Sequence, residues 1–181
     1  MTRTKLIAYS SLMCALLIVS TLWFKFTIPG TGVLFTTQVL FVLLCGQILP
    51  PAGCLAAIGA YLALGLLGVP VFSATQGLAV MATPSFGYLL GFPVAAAVTA
   101  AVRQKLSQRK AGAYAASLAG LAALYAVALP YIALLNSLYL GKPIPLPILL
   151  GSYCLAFLPL DVVKGLLAAF FGERLRKAKV V

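Results

Sequence analysis

The chain has 181 residues, 63% of them hydrophobic and only 8% charged, with a formal net charge of +11. A soluble domain of this length could not keep so much apolar surface away from water, which excludes an ordinary soluble fold. The excess of positive charge invites a nucleic-acid partner, but ten of the thirteen basic residues stand at the ends of apolar runs, where they flank membrane spans instead of forming a basic face.

No charged residue stands between Lys25 and Arg103, a stretch with room for about three helices of about 20 apolar residues each. Arg3 and Lys5 open the chain, Arg103, Lys105, Arg109 and Lys110 form a central hinge, and Arg174, Arg176, Lys177 and Lys179 close it. Basic residues beside apolar spans mark cytoplasmic loops, so both termini and the hinge are expected inside. Two inside termini require an even number of crossings. The expected fold is all-α, one integral membrane domain of six transmembrane helices, covering about 4–26, 34–49, 52–68, 84–102, 112–140 and 158–178.

The first span follows Arg3 and Lys5 without a small-residue cleavage site, so it is expected to be a retained helix, not a secretory signal. Pro29, Gly30 and Gly32 then make an outer loop, and Pro50-Pro51 forces a tight inner turn between spans two and three. Residues 69–83 form a moderately apolar outer segment, long for a mere connection. Thr83 is expected to cap the fourth span, with Pro84 at its first helical position. Pro130 lies inside the fifth span and is expected to kink it. Lys142, Pro143, Pro145 and Pro147 make a rigid outer loop. The last apolar run, 148–179, would be about 48 Å long as one straight helix, against a hydrocarbon core of about 30 Å. Pro159 is its natural break, so the sixth span is expected to start at or just ahead of it.

The chain has only two acids, and one of them, Asp161, sits inside an apolar run with Lys164 three residues later on the same helix face. A carboxylate at membrane depth costs at least a few kcal/mol, so such a group usually lines a cavity or faces another polar group. The pair is either a local ion pair that lets both heads tolerate burial or the floor of a polar pocket holding a ligand. Gln38, with Thr36 and Thr37, Gln76, Asn136, Tyr88 and Tyr139 all fall in the outer half of the six-span arrangement and are candidates to converge there. Cys14, Cys45, Cys54 and Cys154 lie in apolar segments with no C-x-x-C pair, and the chain has no histidine, so packing is expected of them and no metal site. No phosphate-cradling G-x-x-x-x-G-K-[ST] loop is present, and no Ser/His/Asp, Cys/His or paired-carboxylate arrangement, so neither ATP hydrolysis nor enzyme chemistry is expected.

Small residues four apart, Ser11 and Ala15, Ser10 and Cys14, and Gly87 and Gly91, let helix backbones approach closely. They serve packing inside the chain or, on the first span, docking of a partner membrane protein.

The run Gly65-Leu66-Leu67-Gly68-Val69-Pro70-Val71-Phe72, then Gly77-Leu78 and Thr83-Pro84-Ser85-Phe86-Gly87-Tyr88-Leu89-Leu90-Gly91-Phe92, resembles the BioY family, the S components of energy-coupling-factor (ECF) biotin transporters. Gln38 after the first outer loop and Pro159-Leu160-Asp161-Val162-Val163-Lys164 extend the resemblance over nearly the whole chain. Departures are local, at Ser73-Ala74-Thr75-Gln76 and Ser85-Phe86, where more glycine is expected of the family. The resemblance implies a six-helix fold in the bacterial cytoplasmic membrane, biotin as transported ligand, and binding roles for Asp161 and Lys164. It also implies an outer loop that closes over the ligand, with Gln76 as its polar contact, and a complex with a membrane coupling protein and two cytoplasmic ATPases that use the ATP. No cofactor of its own is implied. Biotin offers a urea for Asp161 and a carboxylate for Lys164, with an apolar ring between them. Two rivals stand beside this function: an ion-coupled secondary transporter with Asp161 carrying a proton, and a membrane scaffold that transports nothing.

Overall fold

The computed structural model describes residues 2–23, 25–27, 34–73, 75–109 and 111–178. Each apolar run becomes helical. Helix α1 covers Arg3–Trp23, α2 Gln38–Ile48, α3 Pro51–Leu66, α4 Ser85–Lys105, α5 Gly112–Leu134, α6 Leu146–Leu150 and α7 Leu158–Lys177. Among the described residues, four helical stretches are long and apolar enough to cross a membrane, Arg3–Leu22, Ser85–Lys105, Gly112–Tyr139 and Leu146–Lys177. Helices α2 and α3, with 11 and 16 residues, reach about 16 and 24 Å and fall short of the hydrocarbon thickness on their own.

The bundle is all-α, with one short hairpin added to it. Strands β1 (Lys25–Thr27) and β2 (Leu34–Thr36) pair antiparallel, Phe26 opposite Phe35, and take up the ends assigned to spans one and two. The backbone groups of 34–36 are therefore not committed to a helix, which matters at the site below. The expected loop at Pro29, Gly30 and Gly32 lies outside the described residues.

Thr83 does not cap α4 with its side chain. Its hydroxyl donates back to the Val80 carbonyl at 2.6 Å, closing a 3-10 helix over Gly77–Ala82, and Pro84 precedes the first helical residue, Ser85. The long outer segment therefore carries a helical turn of its own. Helix α5 continues through Pro130 and then widens into a π-helical turn over Leu135–Tyr139. Helix α7 begins one residue before Pro159, as its break in the last apolar run leads one to expect, after a second π-helical turn at Gly151–Leu155.

Close approach of backbones builds the core. Helices α4 and α5 form the most extensive pair. A Cβ on Gly91 would stand 2.7 Å from Leu124 Cδ1 and 2.9 Å from the Leu124 carbonyl oxygen, and one on Gly87 would stand 2.9 Å from the Ala128 carbonyl oxygen. The Gly87/Gly91 spacing thus serves packing within the chain. Ser10 and Cys14 are likewise turned inward, the Ser10 hydroxyl donating to the Gly53 carbonyl of α3 at 3.2 Å. Ser11 and Ala15 face outward.

At the end of the bundle where Arg103, Arg174, Arg176 and Lys177 gather, buried Gln47 ties three helices together. Its side-chain amide donates to the Ala113 carbonyl at 2.7 Å and to Ser117 Oγ at 2.9 Å, and its backbone carbonyl accepts from Arg176 Nε at 2.9 Å.

The α4–α5 contact predicts that Gly91→Ala destabilises the protein by about 1–3 kcal/mol, because a side chain there overpacks a filled interface. Gly59, with nothing within 4 Å of an added Cβ, is the matched control. Thermal unfolding in detergent of Gly91→Ala and Gly59→Ala measures the difference, and equal midpoints would contradict the close approach.

Candidate functional site

The site grows from the start of α7. Asp161 lies in the first turn of that helix and Lys164 in the next, so both side chains leave the same face. That face is turned inward: Asp161 is 3% and Lys164 7% exposed. The two heads are bonded to each other, Lys164 Nζ to Asp161 Oδ1 at 2.6 Å. The second Asp161 oxygen, Oδ2, accepts from the Tyr125 hydroxyl of α5 at 2.7 Å. Lys164 Nζ also donates to the Thr36 carbonyl at 2.8 Å. A helix running from residue 34 would bond that carbonyl to the nitrogen four residues on. With β2 ending at Thr36 and Leu40 N donating to the Thr37 carbonyl instead, it is left to accept from the lysine.

The polar path continues through the side chain of Thr36. Its hydroxyl donates to Gln38 Oε1 at 2.9 Å, and Gln38 Nε2 donates to the Tyr61 hydroxyl of α3 at 2.6 Å. Tyr61 in turn reaches the Val71 carbonyl in the outer segment and Thr21 of α1, each at 3.4 Å. Its ring packs edge-on against Phe72, 5.4 Å between centroids. One hydrogen-bonded chain therefore joins α5, α7, β2, α2, α3 and the segment after α3.

Aromatic rings wall the acid end. Tyr88 of α4 meets Tyr125 edge-on and Phe157 at a tilt, both with centroids 6.1 Å apart, and its hydroxyl donates to the Tyr153 carbonyl. The structure therefore brings four sequence candidates, Asp161, Lys164, Gln38 and Tyr88, into one cluster. Gln76 is further off. It braces the outer segment, accepting from Phe72 N at 3.1 Å and donating to the Phe72 carbonyl at 2.9 Å, and so holds the ring that covers Tyr61. Asn136, in the π-helical turn after α5, donates to the Ile132 carbonyl at 2.8 Å, about three turns beyond Tyr125. Tyr139 is exposed, and Thr37 donates to the Ser20 carbonyl at 3.3 Å.

With their heads in contact, Asp161 and Lys164 address a single point, forming the local ion pair that was one of the two readings of the sequence. Two participants were missed, Tyr125 and Tyr61. The available signal was position: Tyr125 lies mid-helix, away from the membrane interfaces where tyrosine usually sits, so its hydroxyl needs a buried partner.

Residues 1–180 match the profile of the BioY family. The chain belongs to the BioY family. Among related members, a biotin transporter BioY of Thermotoga maritima is 34% identical over 155 residues, covering 85% of this chain and 87% of that one. A probable biotin transporter BioY of Lysinibacillus sphaericus is 38% identical over 106 residues, 58% of this chain and 54% of that one. In three dimensions the chain superposes on the crystal structure of the S-component for biotin from an ECF-type ABC transporter with a TM-score of 0.77 at 26% identity, over 98% of this chain and 95% of the other. Like that family, it is a multi-pass membrane protein.

The buried pair predicts a particular pattern of stabilities. Lys164→Ala leaves an uncompensated carboxylate in an apolar site and should cost about 3–5 kcal/mol, whereas joint replacement, Asp161→Leu with Lys164→Met, should recover most of that loss. Unfolding midpoints in detergent compare the two. A double variant no more stable than the single one would show that the two heads are not coupled.

Proposed function

We propose that this protein binds biotin with high affinity from outside the cell and is the substrate-specific component of an ECF transporter. The observation that carries this function is the agreement of fold, over 98% of the chain, with the biotin S-component of such a transporter. The Thermotoga maritima and Rhizobium etli relatives, both called biotin transporter BioY, support the same substrate. The protein is one domain of six crossing helices in the bacterial cytoplasmic membrane with both termini inside. Support comes from the basic residues gathered at the start of α1, the end of α4 and the end of α7. The protein takes no cofactor and catalyses no reaction. ATP is used by two cytoplasmic ATPases, reached through a membrane coupling protein.

The polar cluster fits one end of the ligand. A urea carries N–H donors beside a carbonyl acceptor, and the Asp161/Lys164 pair presents an acceptor beside a donor, so both heads serve the urea. Tyr125 fixes the carboxylate by its other oxygen, and the rings of Tyr88, Tyr125 and Phe157 offer an apolar wall to the thiophane ring. An ammonium already neutralised by Asp161 is a poor partner for a second carboxylate, so the carboxylate end of biotin is assigned away from Lys164. Gln38 supports the pair through Thr36, while Gln76 and Asn136, away from it, are the candidates for the remainder of the ligand.

Calorimetry of the purified protein with biotin tests the function directly: one biotin per chain is expected, and no heat of binding would reject it. Lys164→Ala is then expected to weaken biotin and biotinamide by the same factor, since the change removes a urea partner. A markedly greater loss for biotin would return Lys164 to the carboxylate.

Ser11 and Ala15 lie on the outward face of α1, in contrast to the inward Ser10 and Cys14, which favours their role as the docking stripe for the coupling protein. Ala15→Leu should release the coupling protein on co-purification while leaving biotin calorimetry unchanged. A retained complex would move the docking face elsewhere.

A further inference from the structure

Between α2 and α7, on the outside of the bundle and away from the Asp161 cluster, lies a groove of about 930 Å³. Leu40, Phe41, Leu44, Phe171 and Leu175 make its apolar walls, and the last turn of α7 adds two cations, Arg174 and Lys177. No acidic residue contributes to the lining. Among the described residues neither cation forms an ion pair, and the Arg174 guanidinium is held 5.2 Å over the Phe170 ring. Phe171 is 46% exposed, so the groove opens outward along the apolar surface of the bundle. Basic side chains at a helix end carry long apolar stems that follow the hydrocarbon while their heads stay at the headgroup level.

We propose that this groove is a binding site for one anionic phospholipid, its acyl chain against Leu40, Phe41, Leu44, Phe171 and Leu175 and its phosphate between Arg174 and Lys177. Apolar walls alone would accept any lipid. The unpaired cations at one end make the choice, because a net-negative headgroup neutralises them and a zwitterionic one brings its own positive charge alongside. A partner helix would instead have to supply acidic groups at the membrane surface. The inference rests on the chain being a membrane protein and is independent of biotin as its ligand.

Native mass spectrometry of the full chain from nanodiscs tests it, comparing phosphatidylglycerol with phosphatidylcholine of matched chains. One phosphatidylglycerol per protein is expected to survive, retained roughly thirtyfold better than phosphatidylcholine if each of the two cations acts as a surface Lys or Arg does. Arg174→Gln with Lys177→Gln should abolish that preference, while Lys105→Gln with Arg109→Gln, equal in charge but outside the groove, should keep it. Ala178→Trp, which fills the groove edge without changing charge, should displace the lipid. Biotin calorimetry on the same variants should be unaltered. Equal retention of both lipids, equal effects of the two charge variants, or a groove from which a cross-linker at residue 178 captures only another protein would each overturn the proposal.

Discussion

Everything at the centre of this fold answers to one carboxylate placed where water does not reach. A charge moved from water into an apolar interior is several kcal/mol less stable unless oppositely charged and hydrogen-bonding groups surround it. Asp161 meets that requirement with Lys164 on one oxygen and Tyr125 on the other, and Lys164 draws on Thr36 in turn. These partners come from α7, α5 and β2. Satisfying one carboxylate therefore fixes the mutual positions of three elements that are distant in sequence, and an ion pair of neutral total charge is left facing an aromatic wall.

The lysine also explains the irregular start of α2. Helices hold their interior carbonyls in bonds four residues on, so a regular helix through 34–37 would have no acceptor to offer. Beginning α2 at Gln38 and pairing 34–36 with β1 releases the Thr36 carbonyl without leaving the strand unpaired. From the same residue the path runs to Gln38, Tyr61 and Val71, so the outer segment that Gln76 braces is continuous in hydrogen bonds with the buried pair. The opposite end of α2 is held by Gln47, which spans to α5 and α7. Helix α2 is thus anchored at both ends by amides.

Much of the site could be read from side-chain chemistry alone. Asp161 and Lys164 stood out because charge is rare and costly in an apolar run, and Tyr88 and Gln38 because polar groups there need partners. Tyr125 was less legible: tyrosine in a span has an ordinary explanation as amphipathic packing, and only its depth hinted at a buried bond. Gln76 and Asn136 looked equivalent to Gln38 on paper. Amides have two ways to be satisfied, by distant side chains or by nearby backbone, and the local option is invisible to spacing. The hairpin escaped because three residues a side, Lys25–Thr27 and Leu34–Thr36, are too few for the alternation of a strand to show in the sequence.

Composition and charge placement by themselves determined that this is a membrane protein built of apolar helices, since both follow from solvation of the chain segment by segment. The motif at Pro159–Lys164 likewise set the acid and the amine one turn apart on a common face, because helical geometry is local. Whether those heads would reach apart or clasp each other was decided only by the tertiary structure. Desolvation is settled by every neighbour at once, and the neighbours, Tyr125 and the carbonyl of Thr36, arrive from elements that no local pattern connects.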